Sequence, residues 1–183
     1  MAWAEPSECL ILSEPDCDMA EVLRRSMEAQ GARTIDIRAT TGAGLDALRE
    51  ACCHRTGVNA LAAFHPLEAA ALALAIQRPV DRLALFCGGR SLLEGADARL
   101  ARFVRRNLSL CAADLLCADP LPRDVGTLRR LLPRPASVAC VNGAKGGWTE
   151  CEFSVKNAIC DFLWSAGQSK SLAENAEMCI IYK

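Results

Sequence analysis

The chain has almost none of the residues that most often carry acid–base or metal chemistry. Its 183 residues include two histidines, His54 and His65, and one tyrosine, Tyr182. No two cysteines stand at CxxC spacing and none of the eleven lies near a histidine pair, so the spacing of a zinc site is missing. Glycine is absent from the turn that follows the first apolar segment, where a tight phosphate-binding loop would need it. No apolar run approaches the roughly 20 residues that span a bilayer. The opening residues 1–6, MAWAEP, have neither the basic start nor the apolar stretch of a secretory leader. There is no excess of charge either: 21 basic and 22 acidic residues give a net charge of -1. That balance provides no large field to favour nucleic acid or an anionic membrane. A cytoplasmic protein with no nucleic-acid or membrane partner is the expectation.

What is present is apolar bulk. Hydrophobic residues make up 51% of the chain, enough for one buried core over residues 1–183 and too little length for two. Eleven cysteines are many, but the count is odd and most lie inside apolar stretches, which reads as reduced thiols packed as small hydrophobes. No metal site is expected.

The order of elements is regular. Residues 8–13 (ECLILS) form a short apolar run, and 18–30 follow with Met19, Val22, Leu23 and Met27 at helical spacing, closed by Gly31. Residues 33–38 (RTIDIR) alternate like a strand, and 41–53 carry Leu45, Leu48 and Cys52 on one helical face. The alternation continues through a strand over 58–64, a helix over 67–77, a strand over 80–86 and a helical region over 96–118. A short helix over 124–132, a strand over 137–141, a helix over 150–165 and a last strand over 178–182 complete it. Strands separated by helices require crossover connections, so the fold class is α/β: doubly wound, mainly parallel, six to seven strands, helices on both faces. The Pro-rich stretches at 119–123 and 133–135 punctuate loops within one domain.

These units match a known pattern in order and spacing. Residues 10–13 (LILS), a turn and helix start whose eight motif slots are 13–20, the rest of the helix, Gln30-Gly31-Ala32 and a strand are similar to the first βαβ unit of the short-chain dehydrogenase/reductase family. Residues 79–89 (PVDRLALFCGG) stand where that family carries I-D-V-L-V-N-N-A-G, and Arg106-Asn107-Leu108 where it has an asparagine–leucine pair. Residues 137–143 (SVACVNG) fall on the strand that ends in its catalytic serine, and 152–159 (EFSVKNAI) resemble its Y-S-x-S-K-x-A-[ILV] helix. The resemblance implies a Rossmann-like fold and a truncated member of the family: the chain stops near the sixth strand, without the substrate-covering loop and the seventh.

The motifs that make that family active are replaced. Its first turn, T-G-x-x-x-G-x-G, lets bare backbone approach a pyrophosphate resting on a helix N-terminus. The corresponding slots here hold Ser13, Glu14, Asp18 and Ala20, with Asp16 between, and Gly88 marks the cleft's far side. Three carboxylates beside a dianion cost on the order of 3 kcal/mol per pair at ~5 Å and an effective dielectric of about 20. The ~0.5 charge of a helix dipole does not return this. No nicotinamide cofactor is expected; Glu14, Asp16 and Asp18 are read as capping the first helix.

The family's catalytic tyrosine slot holds Glu152, its serine slot Gly143, or Asn142 one residue earlier, while Asn107 and Lys156 keep two positions of the relay. Glu152 and Lys156 are an i,i+4 pair with a structural role. No catalytic residue is expected. The resemblance implies instead a non-catalytic subunit assembled with an active dehydrogenase, as in the two-subunit enzyme of benzylsuccinyl-CoA oxidation, or a homodimer. Contact would run through the fourth and fifth helices, with Phe103, Leu108, Phe153, Phe162 and Trp164 at the interface. Two alternatives stand beside it. One is thiol-dependent chemistry at Cys87, Cys111 or Cys140; the other is a sensor for an uncharged small molecule in the cleft near Gly88 and Gly89.

Overall fold

The computed structural model describes residues 8–53, 55, 58–86, 93–107, 137–142, 159–160, 163 and 178–181; in 137–142 and 178–181 it describes the backbone alone. Four strands form where short apolar runs end in turns: β1 (Glu8–Ser13), β2 (Arg33–Arg38), β3 (Val58–Phe64) and β4 (Val80–Phe86). Between them lie α1 (Asp18–Ala29), α2 (Gly44–Cys52) and α3 (Glu68–Gln77), and α4 (Ala98–Asn107) follows β4. Later come β5 (Ser137–Asn142) and β6 (Met178–Ile181). All pairings are parallel, in the order β2-β1-β3-β4-β5-β6. An α/β sheet flanked by helices is therefore what the alternation of patterns builds.

The order has a consequence for function. A doubly wound sheet binds ligands outside the C-terminal strand ends, where the winding reverses. Here β1 has β2 on one side and β3 on the other, so the reversal lies between β1 and β3. That is the 2-1-3-4-5 order of flavodoxin-like sheets, whereas dinucleotide-binding sheets run 3-2-1-4-5-6 with the reversal between the first and fourth strands. The two orders differ in which strand covers the second side of β1, and local apolar patterns do not encode that choice.

The central strands are buried on both faces, as parallel strands under helices must be. Leu10 and Leu12 of β1, Leu61 and Ala63 of β3, and Leu83 and Leu85 of β4 face the larger apolar cluster, formed with α2, α3 and α4. Cys9 and Ile11, Ala60, Ala62 and Phe64, and Ala84 and Phe86 face the smaller one, which holds Ala20, Leu23 and Met27 of α1 together with Ile159, Cys160 and Leu163. At the edge, β2 alternates, burying Ile37 while Arg33 and Asp36 face solvent. Helix α3 (EAAALALAIQ) is buried over Glu68–Ala75, consistent with a helix that is apolar on every side.

Gly44 explains how close α2 comes to α3. A Cβ there would stand 3.0 Å from Leu67 Cδ2 and 3.2 Å from the Ala70 Cβ. The helix expected from residue 41 accordingly begins at Gly44, after a turn closed by the Ala43 N–H bonding to the Thr40 carbonyl. No described helix is long and apolar enough to cross a membrane.

Candidate functional site

Two turns meet at the reversal point, because β1 and β3 end side by side: Leu12 pairs with Ala63, and the strands stop one residue later at Ser13 and Phe64.

The turn after β1 is organised by a cation. Arg38, the last residue of β2, donates from Nη1 to the carbonyls of Glu14 (3.2 Å), Pro15 (3.4 Å) and Cys17 (3.3 Å). Its Nε bonds Asp36 at 3.0 Å, and Nη2 lies 3.9 Å from Glu21. Glu14, Asp16 and Asp18 are exposed, while Ser13 and Ala20 are fully buried beneath the turn. Among the described residues the Ser13 hydroxyl has no hydrogen-bond partner.

This corrects one expectation. Glu14, Asp16 and Asp18 do not cap α1 through their side chains: the N-cap is Cys17, with no side-chain cap bond. Glu14 serves the turn through its carbonyl, which also takes the Cys17 N–H at 3.3 Å. Asp18 and Glu21 lie in the first helical turn, where their charge complements the dipole. A phosphate site needs N–H groups converging on one point. In this turn three carbonyls converge on the Arg38 guanidinium, while the Met19 and Ala20 N–H groups are directed at the Cys17 sulfur.

The turn after β3 is sharper. It runs His65-Pro66-Leu67 into α3, with a cis His65–Pro66 bond and the Leu67 N–H bonded to the Phe64 carbonyl at 2.9 Å. The His65 N–H reaches the Phe86 carbonyl at 3.0 Å, tying the turn to β4, and the Phe64 and Phe86 rings stack at 4.2 Å. His65 Nδ1 lies 2.7 Å from Glu68 Oε1; the imidazole is 12% exposed and the carboxylate 0%. A carboxylate accepts, so we assign the Nδ1 proton to this contact. A buried carboxylate requires such a partner, and at the start of α3 it also meets the helix dipole. Gly95, at φ +74°, brings a second turn over this one: a Cβ there would lie 3.4 Å from the Pro66 Cβ and 3.7 Å from His65 Nε2. Positive φ favours glycine at that position.

The His65–Glu68 pair was not foreseen as a site. Its signal is a histidine directly after an apolar strand with a glutamate three residues on, at the first position of a helix.

The remaining candidates are not brought to these turns by any described contact. Asn107 ends α4, exposed, and its Nδ2 bonds the Phe103 carbonyl of its own helix at 2.8 Å. Asn142 ends β5. Gly88, Gly89, Gly143, Glu152 and Lys156 lie outside the described residues, as do Cys87 and Cys111 and the interface positions Leu108, Phe153, Phe162 and Trp164. Phe103 is half-buried and packs with Leu100 against the larger core cluster, so the apolar side of α4 faces inward. Among the described thiols, burial pushes Cys9 up to about 12 and also raises Cys17 and Cys52, which disfavours the thiolate. The described residues hold no group of three or more His, Cys, Asp or Glu arranged for a metal ion.

No family model matches the chain, and no curated protein matches it. Among solved structures it is similar to the ydeN gene product from B. subtilis, with a TM-score of 0.46 and 13% sequence identity over 97% of this chain and 85% of that one. A likeness at that level assigns neither family nor activity.

Proposed function

We propose that this chain is a non-catalytic α/β subunit that acts by assembling with another protein, which supplies the chemistry. One observation carries the reading: the turn after β1 gives three of its carbonyls to Arg38, and the turn after β3 carries no nucleophilic side chain. Arg38 takes the carbonyls of the first turn, which leaves it unsuited to a pyrophosphate. Enzymes that mount a nucleophile on a sharp strand-to-helix turn expose a serine or its equivalent there. The corresponding turn here presents His65, Pro66 and Leu67, none of which is a hydroxyl or thiol.

The short-chain dehydrogenase resemblance makes an active dehydrogenase the first partner to look for. The strand order lends that lineage no support, so the proposal rests on the two turns and not on descent. Native mass spectrometry of the protein isolated from its own cell tests the reading. A complex of fixed ratio with a second polypeptide is expected, the isolated chain being inactive. A chain that runs alone and turns over substrate by itself contradicts it.

A second reading has its own observation, the 2.7 Å contact between His65 and Glu68. An imidazole oriented by a carboxylate is the base-and-orienter pair of proton-transfer sites. In this reading His65 Nε2 serves the uncharged part of a small-molecule ligand, the base of a nucleoside or the acyl group of a thioester. A thermal-shift screen against nucleosides and acyl-CoA compounds separates the two: a hit lost in His65→Gln favours the ligand site, and no hit favours the assembly subunit.

A further inference from the structure

Helix α4 carries Arg99, Arg102, Arg105 and Arg106 and no carboxylate. Arg99, Arg102 and Arg106 are exposed, and their spacing of three and four residues places them in one stripe. None of these three forms an ion pair among the described residues. Among the other described arginines, five have a carboxylate partner, whereas Arg33 forms no ion pair with the described residues and Arg78 bonds carbonyls. Arg24 and Arg25 pair with Glu21 on α1, Arg49 with Asp46 on α2, Arg38 with Asp36, and Arg55 with Glu8. Asp97, just ahead of α4, is committed to the backbone: its Oδ1 accepts the N–H groups of Arg99 and Leu100.

Helix stability accounts for only part of the stripe: Arg106 stands in the last turn, where the dipole favours a cation, but Arg99 and Arg102 gain nothing from it. Like charges three and four residues apart weaken a helix. Arg99 also stands in the first turn, where the dipole disfavours a cation. The adjoining face is anchored, with Val104 buried and Leu100 and Phe103 packed against the core, so the helix keeps the stripe on its outer side.

We infer that the arginine stripe of α4 is a docking surface for an acidic helical segment of a partner protein, one that presents three carboxylates at matching spacing. The stripe spans about 10 Å, two helical turns at 1.5 Å per residue. Each guanidinium can take a carboxylate through two parallel bonds, a geometry suited to short range recognition. A nucleic acid fits less well. The net charge of -1 and the exposed Glu14, Asp16 and Asp18 supply no extended positive field for a polyanion. This inference rests on the assembly reading and gives its interface a chemistry, charged where the sequence alone suggested an apolar one.

The probe is a labelled helical peptide of about four turns carrying Glu at i, i+3 and i+7 on an Ala/Gln background, with a counterpart in which the three are Gln. Fluorescence anisotropy with the full chain is expected to show saturable, salt-sensitive binding of the Glu peptide. Binding should fall about tenfold for the Gln peptide and for the Arg99→Gln/Arg102→Gln/Arg106→Gln variant, as three exposed charge pairs imply. The variant's thermal midpoint should equal or exceed that of the parent, which separates lost docking from lost folding. Equal binding by parent and variant overturns the inference. So does tighter binding of a single-stranded oligonucleotide or of phosphatidylglycerol vesicles, or self-association that the variant abolishes. If the variant keeps the fixed-ratio complex seen by native mass spectrometry, the stripe is not the interface while the assembly reading stands.

Discussion

The Arg38 guanidinium bonds the backbone carbonyl of Glu14 at 3.2 Å, joining the end of the second strand to the turn after the first across 24 residues of chain. With the Pro15 and Cys17 carbonyls on the same nitrogen, this one side chain sets the polarity of the turn. Removing it should loosen the turn and the first residues of α1. Arg38→Ala is expected to lower stability by about 1–2 kcal/mol, the cost of charged hydrogen bonds from a half-buried group. Urea unfolding measures the shift in midpoint.

Gly44 and Gly42 form a matched pair for testing how tightly α2 meets α3. Gly44→Ala gains up to about 1 kcal/mol of helix propensity and loses about 1–3 kcal/mol to overpacking against Leu67 and Ala70. A net loss of about 1 kcal/mol is expected. Around Gly42 a Cβ meets nothing within 4 Å, so Gly42→Ala should stay within about 0.5 kcal/mol of the parent. Thermal unfolding of the two variants side by side checks the contrast.

The strands were the legible part of this fold. β1, β2, β3 and β4 begin and end where apolar or alternating runs meet turn residues, because a strand's pattern is local. Helix starts were less so: residues 41–43 fit the helical period but belong to a turn, and the close approach of Leu67 to Gly44 is a tertiary fact. The position of β3 beside β1 was not legible, since pairing partners are not written in either strand's own sequence. Nor was Arg38, whose partners lie more than 20 residues back and are carbonyls common to every residue. At α4 the apolar period was readable, but which side remained for a partner depended on what α4 packs against.

Glu21 gives the stability a pH dependence of known sign. Its hydrogen bond with Arg24, followed by that with Arg25, holds the carboxyl down at about 2, against 4.5 for the free group. A folded value below the unfolded one means the contribution is complete above about 4.5 and is lost as pH falls toward about 2. The difference in melting temperature between the parent and Glu21→Gln should be constant at higher pH and close across that window. A difference that persists unchanged to the acid end contradicts the assignment.

Alkylation rates should order the thiols by access and burial. Cys53 is exposed and should react first with iodoacetamide at neutral pH. Cys9, fully buried and raised to about 12, should be the slowest of Cys9, Cys17, Cys52 and Cys53. Peptide mapping over time reads the order, and a hyper-reactive Cys9, Cys17 or Cys52 would revive thiol chemistry for the described part of the chain.

Titration calorimetry of the isolated chain with NAD and NADP tests most directly whether a turn whose carbonyls bond Arg38 is unfit for a pyrophosphate. The account predicts no saturable heat with either nucleotide. Tight uptake at one site per chain, weakened by a substitution at Ser13 or Ala20, would contradict it.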